Sequence, residues 1–324
     1  MAETTHWAFP TRLQPSRDRL LFDLDAALQS VVLLHSEVPD DAFTASVLGT
    51  ERMGHGVVIG PDGLILTIGY LITEAASIWL TTQEGAVVPG HALAYDQVTG
   101  FGLVLPLGPL EVAPMERGSA SSVTVGDPVT VIGHGGIEHA LDARIIARRE
   151  FAGYWEYLLD EAIFTAPAHP QWGGTALVGE DGRLLGVGSL LVQEGAGPQT
   201  IDANMFVPID LLEPILDDML KLGRPSRAAR PWLGLYATPL RGVLVVGGLT
   251  QGGPAHKAGV QLGDVLLEVS GQPVSDLAQL LRKVWSVGPA GSEISMTLAR
   301  GRSTSRVRVT SADRNDFLSK PRQH

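Results

Sequence analysis

From residue 54 to residue 207, short apolar runs alternate with turn residues about every ten positions, the pattern of an all-β protein built from short strands. Val57-Val58-Ile59, then Gly60-Pro61-Asp62-Gly63, then Leu64-Ile65-Leu66-Thr67 reads as strand, tight turn, strand. Val31–Leu34, Ile78–Leu80, Leu103–Leu105, Val129–Ile132 and Leu184–Val187 are predicted as further strands. Ile209–Leu222 changes period. Its apolar positions recur at helical spacing, Pro214 falls early where its missing N–H costs least, and Gly223 is placed as a stop. Beyond residue 231 strands resume, with two short helical patterns at Pro254–Gly259 and Asp276–Val287. Residues 1–20 and the last dozen are polar and predict an irregular arm and a loose tail.

Composition adds bounds. The 38 glycines and 21 prolines among 324 residues agree with many turns. With no cysteine, disulfides, thiol catalysis and cysteine-ligated zinc are excluded. The net charge of -11 argues against nucleic acid as a partner, because phosphate neutralisation needs basic clusters. That charge is unevenly placed: residues 1–230 carry -16 and residues 231–324 carry +5, which hints at a domain boundary near residue 230. No run approaches the length of a membrane span. The first residues lack a basic start followed by an apolar core, so the expected location is cytoplasmic unless a leader is missing.

Motifs carry a resemblance to the HtrA/DegP family, trypsin-like serine proteases followed by a PDZ domain. It spans roughly residues 25–312. Gly54-His55-Gly56-Val57-Val58-Ile59 with Gly63-Leu64-Ile65-Leu66-Thr67 is similar to the family's segment before its catalytic histidine. Residues 165–178 resemble the nucleophile loop, and Gly182–Val187 and Phe206-Val207-Pro208 match the segments after it. Arg230-Pro231-Trp232-Leu233-Gly234-Leu235 resembles the PDZ carboxylate-binding loop, and Leu249–Leu267 resembles the Pro-Ala-x-x-Ala-Gly-Val-x-x-Gly-Asp-Val run of bacterial PDZ domains.

The resemblance implies an all-β dominated fold, a double β-barrel followed by a PDZ domain with two short helices. The expected divisions are an arm at 1–24, a degenerate protease domain at 25–222, a linker at 223–230, a PDZ domain at 231–312 and a polar tail at 313–324. It also implies where a catalytic triad would fall. Tyr70 stands at the histidine position, Gly100 at the aspartate position and Gly173 at the serine position, although a one-residue slip would put Trp172 there. Gln171 replaces a glycine whose surroundings shape the oxyanion hole. A triad needs a nucleophile, a base and a carboxylate to orient the base. None of these groups is present, and a phenol with a pKa near ~10 is a poor base at neutral pH.

The expectation is therefore a pseudoprotease: a peptide- or protein-binding adaptor, chaperone-like or regulatory protein. The alternatives are an active endopeptidase or other hydrolase with displaced groups, and a structural subunit of an assembly. Trp172 beside Tyr70 suggests an occluded cleft. His55, His134, His139 and His169 lie in or near loops the family folds around that cleft. They lack metal-motif spacing, so neither a metal nor any cofactor is expected. In the PDZ domain, Trp232, Leu233, Gly234 and Leu235 are expected to offer free N–H groups to a peptide's terminal carboxylate. Leu277, Leu280, Leu281 and Val284 form a helix face, of which Leu277, Leu281 and Val284 are expected to line the side-chain pocket. Expected partners are protein C-termini or unfolded peptides. Oligomers, whether a homotrimer or a hetero-oligomer with an active relative, are a further expectation, with Trp7, Phe9 and Leu13 of the arm as possible contacts.

Overall fold

A computed structural model of the chain describes residues 7–195 and 197–319. The described residues form two compact units: residues 7–149, 161–225 and 319, and residues 150–160 with 226–318.

The first unit holds two closed antiparallel barrels. The strands of one are β1 Val31–Glu37, β2 Glu51–Val58, β3 Ile65–Ile68, β4 Ser77–Thr81, β5 Val87–Tyr95 and β6 Phe101–Pro106, in the order β1-β2-β3-β6-β5-β4. Those of the other are β7 Pro128–Ile132, β8 Ala140–Gly153, β9 Tyr157–Ala166, β10 Ala176–Val178, β11 Leu184–Glu194 and β12 Ile201–Pro208, in the order β10-β11-β12-β9-β8-β7. Closure removes free sheet edges. Inward residues such as Leu34, Ile65, Phe101, Phe164 and Phe206 are fully buried. Every strand expected from the apolar runs is present.

Helix α1, Leu24–Gln29, was not foreseen. Asp23 caps it by accepting from the Ala26 N–H at 3.1 Å. A short helix α2 spans Ala45–Leu48. The pattern at 209–222 resolves into a 3-10 turn and α3, Glu213–Leu222, ended by Gly223 at φ 72°, where glycine carries no Cβ penalty. In the arm, Phe9 and Leu13 pack against the core of the second barrel and Trp7 lies 4.1 Å from the His139 ring, so all three make contacts within their own chain.

The second unit contains a sheet of β13 Leu235–Leu240, β14 Val243–Leu249, β15 Val265–Val269, β17 Glu293–Arg300 and β18 Ser303–Thr310 in that order, with β16 Gln272–Pro273 paired to β15. Helices α4, Pro254–Lys257, and α5, Leu277–Ser286, complete it. Asp276 caps α5 through the Gln279 N–H at 2.8 Å. Strand β13 ends the sheet. The loose tail expected after residue 312 is ordered in its first part. Arg314–Phe317 forms a 3-10 turn, and the Phe317 ring packs 4.7 Å from Trp232, because an apolar ring there has a buried indole to cover. Among the described residues, no helix is long and apolar enough to cross a membrane.

Candidate functional site

Residues 70, 171, 172 and 173 meet in the first unit. Tyr70 follows β3 on a 3-10 turn, Gly69–Leu71. The segment is held from behind by Arg52, whose guanidinium donates to the carbonyls of Tyr70 at 2.8 Å and Thr73 at 2.9 Å. The Tyr70 hydroxyl donates to the Ser189 carbonyl at 3.0 Å. That carbonyl is available because β11 bulges between Gly188 and Leu190, leaving residue 189 out of the ladder. Burial pushes the phenol further above its ordinary range, and a side-chain hydrogen bond from Trp172 works the other way. The indole is a donor only, so Tyr70 accepts from Trp172 and donates to Ser189.

Gly173 faces this hydroxyl. A Cβ at residue 173 would lie 2.7 Å from the Tyr70 Oη, closer than real Cβ contacts. The space into which a side chain at position 173 would project is thus filled by the Tyr70 phenol. The aromatic in this space is Tyr70, and Trp172, partly exposed, acts on its hydroxyl. The Gly173 carbonyl accepts from the His55 N–H at 2.8 Å. Next to it, Gly174 has φ 79° and its Cβ position falls 1.8 Å from the His55 carbonyl, so only glycine fits.

The amide of Gln171 is also engaged: it donates to Nδ1 of His169 at 3.1 Å. His169 is fully buried, and its Nε2 lies 3.1 Å from the His139 carbonyl. With Nδ1 accepting, the proton is on Nε2, which donates to that carbonyl. Asn204 fixes the backbone of residue 169 from both sides, at 2.6 and 3.1 Å. Gly100 has φ 84°, a conformation strained for any side chain carrying a Cβ. Its carbonyl accepts from Gly69 at 2.7 Å.

The four histidines do come together. The His134 N–H donates to His55 Nδ1 at 3.0 Å, His134 Nε2 lies 3.0 Å from the Thr82 carbonyl, and the His55 and His169 rings are 6.0 Å apart. Burial lowers His55 to about 3 and His169 to about 4, with neighbouring histidines lowering His55 further. His55 and His169 are neutral packing groups, each accepting a backbone N–H at Nδ1. Among the described residues, no group of His, Asp or Glu is arranged to hold a metal ion.

The PDZ residues divide between core and loop. Leu233, Leu235, Leu280 and Val284 belong to the hydrophobic core and Leu277 packs against it, while Leu281 is buried outside that cluster. Val284, one of the expected pocket residues, is therefore a core residue. Trp232 is structural as well: it exchanges backbone hydrogen bonds with Ala312, both at 3.0 Å. Gly234, at φ 67°, turns the loop. Its amides are not free. Leu233 N–H donates to the Glu156 carboxylate at 3.0 Å and Leu235 N–H at 3.0 Å. Sequence reasoning missed Glu156, because nothing in the spacing from residue 156 to residue 233 marks the pair.

Comparison with known proteins agrees with this fold. Residues 54–187 match the trypsin-like peptidase domain and residues 231–310 match the PDZ domain. The serine protease PepD of Mycobacterium tuberculosis is 28% identical over 286 residues, covering 80% of this chain and 61% of that protein. The serine endoprotease DegS of Haemophilus influenzae is 24% identical, covering 78% and 75%. A probable periplasmic DegP-like endoprotease of Halomonas elongata is 25% identical, covering 81% and 57%. The chain thus spans about 60% of the length of two of these relatives. Among solved structures, the HtrA-type protease AlgW with a decapeptide matches 93% of this chain and 100% of that chain at TM-score 0.54 and 19% identity. A serine endoprotease from Yersinia pestis matches 90% and 98% at TM-score 0.53 and 20% identity.

Proposed function

We propose that this chain, which joins a trypsin-like peptidase domain to a PDZ domain and is homologous to HtrA/DegP proteases, is a member without peptidase chemistry that binds protein C-termini or unfolded chains. The observation that carries this reading is the filling of the nucleophile's space. The Tyr70 hydroxyl lies 2.7 Å from where a Cβ on residue 173 would be. A serine would have to displace it, and Tyr70 is itself the residue at the base position. The Gln171 amide, on the oxyanion side, is bonded to His169 and so is turned from a reacting carbonyl, where such donors are needed. Binding is supported by the glycine turn and core of the PDZ domain, and by the decapeptide bound to its structural neighbour AlgW.

The test is direct. The purified chain is incubated with unfolded casein and with a fluorophosphonate probe, beside Gly173→Ser and the triple variant Tyr70→His, Gly100→Asp, Gly173→Ser. The expected result is no cleavage and no labelling by the native chain or by Gly173→Ser. Labelling or casein cleavage by the native chain would end the pseudoprotease reading.

A further inference from the structure

The geometry points to Glu156 as an internal competitor for the PDZ carboxylate site: its side chain occupies the Leu233–Leu235 amides, so a protein C-terminus binds only by displacing it. This rests on the proposed peptide-binding role of the domain and adds how that site is held closed.

Four observations carry it. First, Glu156 presents to the loop the group that a chain terminus would present. A carboxylate accepts from Leu233 and Leu235 N–H at 3.0 Å each, with Gly234 contributing as a third backbone donor. Successive N–H groups at such a turn form an anion-binding concavity. One concavity holds one carboxylate, so Glu156 and a peptide terminus exclude each other.

Second, the side chain is delivered by a segment shaped for the purpose. Residues 150–160, the end of β8, the start of β9 and the turn between them, cluster with the PDZ unit. Glu156 itself has φ 61° and is buried. A non-glycine residue there is strained, and such strain persists only where the surroundings over-determine it. Aromatic neighbours stiffen the tip: Trp155 stacks on Tyr157 at 5.8 Å and 14°, and Tyr154 meets Trp155 at 5.1 Å.

Third, the same segment is fastened to both walls of the groove that a peptide strand would enter. Arg282 on α5 pairs with Glu150 at 2.7 Å and with Asp160. Tyr154 packs edge-on against Tyr236 of β13 at 6.2 Å. Strand β13 ends the sheet, and edge addition is how peptides extend a sheet.

Fourth, the contact is poised for exchange. Burial pushes the Glu156 carboxyl up to about 7, against the pull of the backbone donors and Arg314. Desolvation thus works against the docked anion. A terminal carboxylate offered by a peptide makes the same bonds and releases Glu156 to water.

The experiment uses the full chain. Fluorescein-labelled decapeptides ending in Leu, Val, Ile, Phe or Ala, each as free acid and as C-terminal amide, are titrated by anisotropy into the native protein, Glu156→Gln, Glu156→Ala and Arg282→Ala. The amides of Leu233, Gly234 and Leu235 are followed by 15N–1H spectra of the same proteins. Gln keeps the shape and removes the charge. Arg282→Ala leaves Glu156 in place while releasing its segment, which keeps the test available should a Glu156 variant misfold. The expected result is that both Glu156 variants shift the three amides and bind free-acid peptides tenfold or more tightly than the native chain. Arg282→Ala should gain less, and amidated peptides should gain nothing. Equal affinity for native and Glu156→Gln proteins overturns the inference while leaving peptide binding intact. Amides that do not move overturn it as well. Amides that respond while no protein binds any peptide would sink the peptide-binding role itself, and with it the competition.

Discussion

The loop at residue 173 and the loop at residues 233–235 are both filled from within, but by different means. In the peptidase domain a neutral phenol takes the space, fixed by hydrogen bonds from Trp172 and to Ser189. In the PDZ unit an ionisable carboxylate takes it, with a chemistry identical to the expected ligand's. The first filling has no competitor among peptide groups, since a substrate carbonyl does not replace a phenol that already donates and accepts. The second has an obvious one. On the reading proposed above, the difference separates an abandoned site from a gated one. Packing explains why. Residue 174, next to 173, lies where backbone touches backbone, its Cβ position 1.8 Å from the His55 carbonyl, whereas the Cβ position of residue 234 meets only side-chain atoms of Trp232 and Thr250.

Alanine at the two turn glycines breaks the comparison most strongly. Gly174→Ala would place Cβ 1.8 Å from the His55 carbonyl at φ 79°. No rotamer relieves a clash of backbone with Cβ, so the loss is expected to exceed about 4 kcal/mol, the range of exceptional substitutions. It is measured as loss of the cooperative urea transition of the first unit. Gly234→Ala meets the Trp232 ring and Thr250 Cβ at 3.0 Å and keeps φ 67°. The expected cost is about 1–3 kcal/mol, with the amides of residues 233 and 235 displaced. Comparable losses at the two sites would erase the distinction drawn between them.

Acid sharpens it, because the two sites titrate in opposite senses. His55 and His169 are lowered from 6.5 to about 3 and about 4 by burial. Their neutral forms contribute stability that is full above 6.5 and lost as pH falls below it, since the unfolded chain then takes protons the folded chain refuses. At pH 5 the loss is on the order of 2 kcal/mol per histidine. Urea midpoints at pH 7.5 and pH 5 check this, and His55→Gln should reduce the difference. Glu156 runs the other way. Its docked carboxyl is raised from 4.5 to about 7, so docking is strongest below 4.5, weakens as pH rises, and levels off above 7. Arg314 is the charged group acting on it, while Arg282 is taken by Glu150 and Asp160. A peptide terminus, with a pKa near ~3.5, stays ionised throughout. Native affinity for free-acid peptides is therefore expected to rise by up to about tenfold per pH unit between pH 5 and 7, and Glu156→Gln should be flat. A native affinity that falls over this range would contradict the gated reading.

The sequence makes much of this legible and hides a definite part. Strands such as Val57–Thr67 show because alternation and a Gly-Pro-Asp-Gly turn are local signals. Positions 70, 100 and 173 stand out because each interrupts a motif. What stays hidden depends on long-range hydrogen bonds. The Gln171 amide finds His169 only once Asn204 has fixed the loop, and Glu156 reaches Leu233 across 77 positions. Val284 looked like a pocket residue because helical spacing gives a face but not what covers it; the core does. The tail looked loose because one phenylalanine among polar residues carries no periodicity, yet Phe317 has Trp232 to pack on.

The smallest expected effect is the most discriminating for the site at residue 173. Tyr70→Phe keeps the ring that fills the space before Gly173 and removes only the hydroxyl. It leaves the Ser189 carbonyl and the Trp172 indole without that partner. Tyr70 and Trp172 are partly exposed, while Ser189 is buried, so water can replace part of what is lost. The expected destabilisation is about 0.5–1.5 kcal/mol, the usual net worth of one such hydrogen bond, read from the urea midpoint. If the phenol were instead a working base or acid, removing it would change reactivity and barely touch stability. Fluorophosphonate labelling of Tyr70→Phe, Gly173→Ser and the double variant therefore separates the two roles. A structural phenol predicts no labelling in any of the three, since removing the hydroxyl opens space for a serine side chain but supplies no base to take its proton.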